Sequence, residues 1–541
     1  QGPNRWTFLM KFVCCRSRQL LTVLVSARLL FNSSIRLNSR PLQMATDSAT
    51  RSFNTLQIGL TGSIGMGKST ISNQFKKLGF PLFDADQEVH KLYAQNGGAV
   101  EPLHQVFPEV IVNNAVDRAK LTTRIMEDPS SLKIVESIVH PLVQEERRKF
   151  YEQACADKKL MVVYDIPLLF ENIDKYQVDY IVVATADPEV QRRRVLERPG
   201  MTEDKFAAIL QKQVPDSVKR EKADFLVHTD FAGYSEAKSQ LSKIIDTIIK
   251  RNPDLFEQWK IGDGVGLAGN TPSDIDTHSL SLSEAAKKFR SAVDLVVFDL
   301  DDTIVPVGVQ LESATTAMKE FMKINMPNTL LVADKSLRDA MKEIASKHPH
   351  ISHDLHEVRH RALFSLALKY GEESHVQEAM DVFLRARSDV TANYYEHTEE
   401  CLEWLHHAGV KIAVLTNGSA DLSMCPVLSK YLSFSFTAAE VGISKPAPVG
   451  FVACAQVAKV PPNRVMYIGD SYDFDVRGCV NAGMISVLIE RKDYNNKAAT
   501  PTSTFTSGEC AERHRIYYPL AHIVLPTLGV KDLESAFSNY F

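Results

Sequence analysis

Short apolar runs alternate with longer stretches of helical period over two separate regions of the chain, residues 55–250 and 293–541. The runs Leu56–Leu60, Phe80–Phe83, Val293–Phe298, Lys411–Leu415 and Val465–Ile468 are too short for helices, and each is followed at once by Gly, Asp or Thr. Apolar runs of this length, broken by turn residues and followed by amphipathic segments, predict strands of parallel sheets covered on both faces. The chain is therefore expected to be α/β, with two doubly wound parallel-sheet domains. Residues 251–292 interrupt the pattern with Gly262, Gly264, Gly266, Gly269 and Pro272, which predicts a linker with a short helix near Ser283–Phe289. Within the second region, residues 306–398 keep a helical period with almost no strand signal, so a helical cap is expected there.

Composition changes this picture little. Hydrophobic residues make up 44% of the 541, charged residues 24%, and the formal net charge is -4. That balance gives no basis for a nucleic-acid-binding surface. The eight cysteines are scattered without metal-binding spacing, which fits reduced thiols. Residues 1–54 begin with a basic leader whose first acid is Asp47. An Arg- and Ser-rich, acid-free segment resembles a mitochondrial presequence, so the expected location is mitochondrial ahead of cytoplasmic. Gln19–Phe31 is apolar but interrupted by Arg28, and no stable membrane span is expected.

The first strand runs into Gly62-Ser63-Ile64-Gly65-Met66-Gly67-Lys68-Ser69-Thr70 and then a helical stretch. This is the P-loop spacing in its strand–loop–helix setting. Its glycines let backbone N–H groups converge on phosphate oxygens, and the helix N-terminus adds its dipole. Lys68 is placed for the β- and γ-phosphates of a nucleoside triphosphate, and Ser69 for Mg²⁺. Phe80–Phe83 leads to Asp84 and Asp86, with His90 one turn on. A carboxylate at a strand end beside the P-loop can take a proton from an acceptor hydroxyl, although either Asp could also cap the following helix.

The blocks GLTGSIGMGKST, LFDADQEVH, VDRAKL, ESIVHPLV and IPLLFE, followed by Gln191–Arg198, resemble dephospho-CoA kinase in order. The resemblance implies ATP-dependent phosphorylation of the 3′-hydroxyl of dephospho-CoA. It makes Asp86 the base and puts Arg194 and Arg198 in or beside a lid over ATP. It places Asp84, His90 and His140 on the acceptor side, in a helical CoA-binding region. Ser63, Met66 and Thr229 depart from the family's usual residues.

The second region opens with an apolar strand and Asp299-Leu300-Asp301, two acids that face the same way on an extended segment. One can attack phosphorus while the other manages protons, though a lone DxD more often binds nothing. Thr416, Lys445 and a Gly469-Asp470 strand end follow. That order resembles the haloacid dehalogenase superfamily, a Rossmannoid domain with a cap. The resemblance makes Asp299 the nucleophile and Asp301 the general acid and base. Thr416 and Lys445 would hold the phosphoryl group. Asp299, Asp301, Asp470 and Asp475 would hold Mg²⁺, with Asp473 a weaker alternative to Asp475. His348, His350, His353, His356 and His360 read as cap histidines rather than ligands, and Trp404 with Tyr394 and Tyr395 as cap packing.

Two active enzymes on one chain are expected: a kinase for dephospho-CoA and ATP, and a phosphatase for a small phosphomonoester. The alternative is an active kinase whose second domain is a binding or dimerisation module.

Overall fold

A computed structural model describes residues 53–230, 234–261, 284–390, 393–490 and 520–540. The leader, most of the glycine-rich linker and the polar stretch Asp493–Arg513 lie outside the described residues. The chain divides into two compact units, Gln1–Ala232 and Gly233–Phe541.

The first unit is built on an all-parallel sheet in the order β2-β5-β1-β6-β7. Its strands are β1 (Leu56–Thr61), β2 (Leu82–Asp84), β5 (Met161–Asp165), β6 (Tyr180–Thr185) and β7 (Phe225–His228). The chain leaves β1 toward one edge and later returns to the other side, which opens a crevice beyond the strand ends at β1. Between β2 and β5 lies a helical subdomain with its own core, including Leu103, Leu121, Val135 and Val139. Its small hairpin, β3 (Ile111–Val112) and β4 (Ala115–Val116), turns at Asn113 and Asn114, both at positive φ. Such a two-residue turn needs left-handed backbone at both positions, and Asn tolerates it. Helices Pro188–Leu196, Glu203–Leu210 and Asp216–Lys222 fill the crossover from β6 to β7. Glu171 ties that crossover down by accepting Val214 N at 2.8 Å while lying 3.2 Å from the buried Lys219 Nζ.

The second unit has a six-stranded parallel sheet in the order β10-β9-β8-β11-β12-β13. Its strands are β8 (Leu295–Phe298), β9 (Lys411–Thr416), β10 (Phe434–Thr437), β11 (Val465–Gly469), β12 (Ile485–Ile489) and β13 (Ile523–Leu525). The strand order reverses between β8 and β11, so their carboxyl ends flank the switch point. Four helices, Val307–Asn325, Pro327–Lys347, Leu355–Ala367 and Val376–Ser388, form the cap around a Met- and Leu-rich core of its own. Trp404 and Tyr394 pack against the main sheet core instead of the cap, and the Trp404 ring meets Phe289 edge-on at 5.1 Å. Helix Thr398–His407 leads into β9, so its aromatic face is drawn onto the sheet. Tyr395 is buried beside the loop that follows β8, its hydroxyl 3.5 Å from Asp302 Oδ1. In the cap, burial lowers the His353 imidazole to about 4 and also lowers His356, so both are neutral at pH 7. No cluster of metal-ligating groups includes a cap histidine among the described residues.

One boundary differs from the sequence expectation of 55–250. Helix Tyr234–Arg251 belongs to the second unit. Its apolar stripe of Leu241, Ile244, Ile245, Ile248 and Ile249 is buried. Helical period shows which face is covered but not by what, so adjacency in sequence misled. Polar contacts fix the docking. Ser235 Oγ donates to Asp354 Oδ2 at 2.7 Å, Ser242 Oγ donates to Val441 O, and Arg361 lies 3.0 Å from Glu236 Oε1. Gly442, at φ 94, lets the helix backbone approach: a Cβ there would lie 2.5 Å from Lys238 O. Glu236 is 3% exposed, and removing it breaks one of the two ion pairs of the half-buried Arg361, which keeps only Glu357 at 2.7 Å. Glu236→Ala in the full chain is expected to destabilise the second unit by about 1–3 kcal/mol. Hydrogen exchange across 355–367 during denaturant titration would register that loss, whereas unchanged protection would contradict the docking.

Candidate active sites

In the first unit, Gly65 and Gly67 both sit at φ 79, backbone that side chains disfavour, and so curl the loop between β1 and helix Lys68–Lys77. A Cβ at Gly67 would lie 2.6 Å from Thr229 Oγ1. Thr229 Oγ1 donates to Met66 O at 2.9 Å and accepts from Arg194 Nη1 at 3.0 Å, so the arginine is held beside the loop. Gln191 Nε2 donates to Ile64 O at 2.7 Å, and Ile64 N donates to Gln213 Oε1 at 3.2 Å. Met66 is buried, and its sulfur accepts from Ala186 N at 3.1 Å. The loop is thereby shaped before any phosphate arrives.

Lys68 pairs with Asp165, the last residue of β5, and Ser72 Oγ donates to the other carboxylate oxygen. Asp84 caps its helix by accepting from Asp86 N at 3.1 Å and Gln87 N at 3.0 Å. This resolves the ambiguity between the two acids, because Asp86 is left without capping duty in the first turn. Burial raises the Asp86 carboxyl to about 6, with Lys68 opposing and Asp84 and Asp165 reinforcing the shift. His90 contacts the Arg118 guanidinium at 2.8 Å, and the half-buried His140 lies in the long helix Ser131–Ala156. Ser69 is exposed in the first turn of the P-loop helix. Burial lowers the Arg198 guanidinium from its ordinary value, whereas Arg192 and Arg193 are exposed.

In the second unit, Asp299 and Asp470 follow the ends of β8 and β11, and Asp475 lies in the turn Tyr472–Val476. Oxygens of these three carboxylates lie within 4.8 Å of one another. The buried Lys445 Nζ lies 2.6 Å from Asp475 Oδ1, 2.8 Å from Tyr467 OH and 2.9 Å from Asp299 Oδ1. Tyr467 OH donates to Leu415 O at 2.9 Å, which fixes its acceptor side toward Lys445. Asn417 brackets the backbone of Lys445 by accepting its N–H at 2.8 Å and donating to its carbonyl at 3.3 Å. Thr416 Oγ1 accepts from Gly418 N at 2.9 Å at the end of β9. Burial, chiefly, and neighbouring acids raise Asp299 to about 7 and raise Asp470 as well. Lys445 is pushed up by Asp299 and Asp475 against the opposing effect of burial.

Residues 56–232 match the family described as dephospho-CoA kinase, and residues 293–483 the one described as haloacid dehalogenase-like hydrolase. A dephospho-CoA kinase of Rhizobium meliloti (strain 1021) is 48% identical over 191 residues, spanning 35% of this chain and 97% of that protein. The chain belongs to the dephospho-CoA kinase family. A second dephospho-CoA kinase, from Mesorhizobium japonicum, is 47% identical over 191 residues, 35% of this chain and 95% of that protein. A solved 2-haloacid dehalogenase from Pseudomonas syringae pv. Tomato DC3000 is 22% identical, with TM-score 0.38, covering 46% of this chain and 100% of that one.

The dephospho-CoA kinase unit thus brings together Lys68, Asp86 and Asp165, of which sequence reading missed the last. Asp165 was legible in principle, because MVVYD is an apolar strand ending in an acid. Only the pairing of β5 with β1 sets it against Lys68. In the hydrolase unit two acids of the motif stand outside the carboxylate cluster. Asp301 is absent from the carboxylate cluster, its side chain paired with Arg387. Asp473 is exposed and pairs with Arg477 at 3.2 Å, because the turn Tyr472–Val476 aims alternate acids in and out. Arg387 and Tyr467 carry no motif signal, and their distance in sequence from Asp299 hides them. The three clustered carboxylates against one lysine leave a surplus of negative charge. An all-oxygen set of this kind suits a hard divalent cation such as Mg²⁺.

Proposed function

We propose that the chain is a bifunctional enzyme: it phosphorylates the 3′-hydroxyl of dephospho-CoA with ATP, and hydrolyses a small phosphomonoester in a Mg²⁺-dependent reaction through an aspartyl-phosphate. In the first activity the P-loop amides from Gly62 to Thr70 cradle the phosphates of ATP, with Lys68 at the β,γ end. Asp86 takes the proton of the acceptor hydroxyl, whose oxygen forms the new bond to the γ-phosphorus as ADP leaves. Asp84, His90 and His140 lie on the acceptor side, while Arg194 and Arg198 offset charge from the crossover helices. Mg²⁺, held by Ser69 with support from Asp165, would neutralise phosphate charge.

The second activity rests on one observation: Asp299, Lys445, Asp470 and Asp475 converge at the switch point of the sheet. Asp299 attacks phosphorus and the ester oxygen leaves with a proton from Asp301. Water then attacks the aspartyl-phosphate, Asp301 takes its proton, and inorganic phosphate departs. Thr416 and Lys445 hold the phosphoryl oxygens. Mg²⁺ on Asp299, Asp470 and Asp475 would offset charge on the phosphoryl group. A non-catalytic second unit has no use for a buried lysine held among three costly carboxylates, so the turnover reading is preferred.

A base works only when deprotonated. With Asp86 near 6, kinase kcat/KM is expected to be flat above about pH 7 and to fall tenfold per unit below about pH 6. A profile without an inflection in that range would remove Asp86 from the role. The activities themselves are tested by incubating the full chain with Mg²⁺, ATP and dephospho-CoA and following CoA by chromatography. CoA that accumulates and persists is expected. Absence of CoA would overturn the kinase assignment, and CoA that decays only while Asp299 is intact would make its own phosphate the second substrate.

A further inference from the structure

The carboxylate cluster leaves a group of cap residues unexplained. Arg387 is near the end of helix Val376–Ser388 and 1% exposed. One of its amino nitrogens pairs with Asp301, but Nη1 is buried with no hydrogen-bond partner among the described residues. A Cβ built at Gly418 would lie 3.2 Å from both Arg387 Nη2 and Thr416 Oγ1, which puts the guanidinium over the loop that ends β9. Arg359, on helix Leu355–Ala367, is lowered to about 10 by burial and by the charge of Arg387. Its guanidinium carbon sits 4.0 Å from the Phe383 ring centroid, and its Nη1 also lacks a partner among the described residues. Gln310 is fully buried, with neither amide atom satisfied.

These residues share the catalytic end of the cap. Helix Val307–Asn325 starts just after the nucleophile loop, with Val307 N donating to Asp302 Oδ1 at 3.0 Å. The helix that carries Arg387 packs along it and returns the chain to the same end. Buried donors without partners are costly, and two guanidinium groups against one carboxylate leave surplus positive charge. That surplus lies on the leaving-group side, apart from the acids that surround Lys445.

We infer that Arg387, Arg359 and Gln310 form a second anion subsite, which selects phosphomonoesters whose leaving group itself carries a carboxylate or a second phosphate. This rests on the phosphatase reading and names its substrate class. An anion there competes with Asp301 for Arg387, and the freed carboxyl turns to the ester oxygen, so recognition is coupled to proton transfer.

The test compares 2-hydroxyethyl phosphate with phosphoglycolate, which replaces its alcohol by a carboxylate, and with ethylene glycol bisphosphate. With the full chain and Mg²⁺, kcat/KM is expected to be at least about tenfold higher for one of the anion-bearing esters, the better one identifying the anion. Arg359→Gln should reduce that preference to about threefold or less, mainly through KM, and Arg387→Lys should lower kcat as well. Should Arg387→Lys fail to fold, Arg359→Gln carries the comparison. Thermal protection of the Asp299→Asn chain by the same three compounds reads binding without turnover. Hydrolysis with no preference for the anion-bearing esters would overturn the subsite and leave the phosphatase standing. Preferential protection without hydrolysis in the wild type would do the reverse, and neither signal would overturn both.

Discussion

Replacing Asp299 by Asn is expected to lower phosphomonoester hydrolysis by about 10⁴-fold or more while leaving CoA formation unchanged. The amide keeps the shape of the side chain but cannot become an acyl phosphate. It also removes one of three clustered carboxylates, and with it the repulsion that adds to burial in raising Asp470. Lys445 loses its pair with Asp299 but keeps Asp475 at 2.6 Å, so the second unit should still fold, and lost activity is then not ascribable to lost structure. Phosphate release and thermal unfolding measured side by side check both statements. Retained hydrolysis would mean that another nucleophile serves the unit.

Lys68→Met is expected to lower dephospho-CoA phosphorylation by about 10²–10³-fold, the cost of removing one charge aimed at a developing anion. The methionine keeps most of the apolar stem, so packing of the P-loop helix should survive. Asp165 would lose its ion partner and keep the Ser72 hydroxyl at 2.5 Å. The variant should thus be somewhat less stable as well as slower, and steady-state rates need a matching unfolding curve. A rate within about threefold of the wild type would detach Lys68 from the transferred phosphate. Hydrolysis by the second unit is the internal control, since Lys68 and Asp299 lie in different compact units.

Both variants act on groups that were legible without coordinates, and the reason is local. A P-loop and an acid-tipped strand are short continuous segments whose backbone dictates where their side chains point. Gly65 and Gly67 illustrate this, since the φ of 79 that each adopts is written into the absence of a side chain. Asp84 and Asp86 show where local reading stops. Both lie at one strand end, and only the observed bonds from Asp86 N and Gln87 N assign the cap to Asp84.

Sequence by itself determined the two parallel sheets, the helical cap, the loop at β1 and the acids at β8 and β11, because periodicity and motif spacing span only a few residues. Tertiary structure decided everything that depends on which surface meets which. It moved helix Tyr234–Arg251 from the kinase to the hydrolase unit, because an amphipathic face names no partner. It set Asp165 against Lys68 through the pairing of β5 with β1. It also took Asp301 out of the carboxylate cluster and gave it Arg387, 86 residues away in sequence. A charge finds its partner by distance in space, and a folded sheet brings distant strand ends and cap helices together in ways that no local pattern encodes.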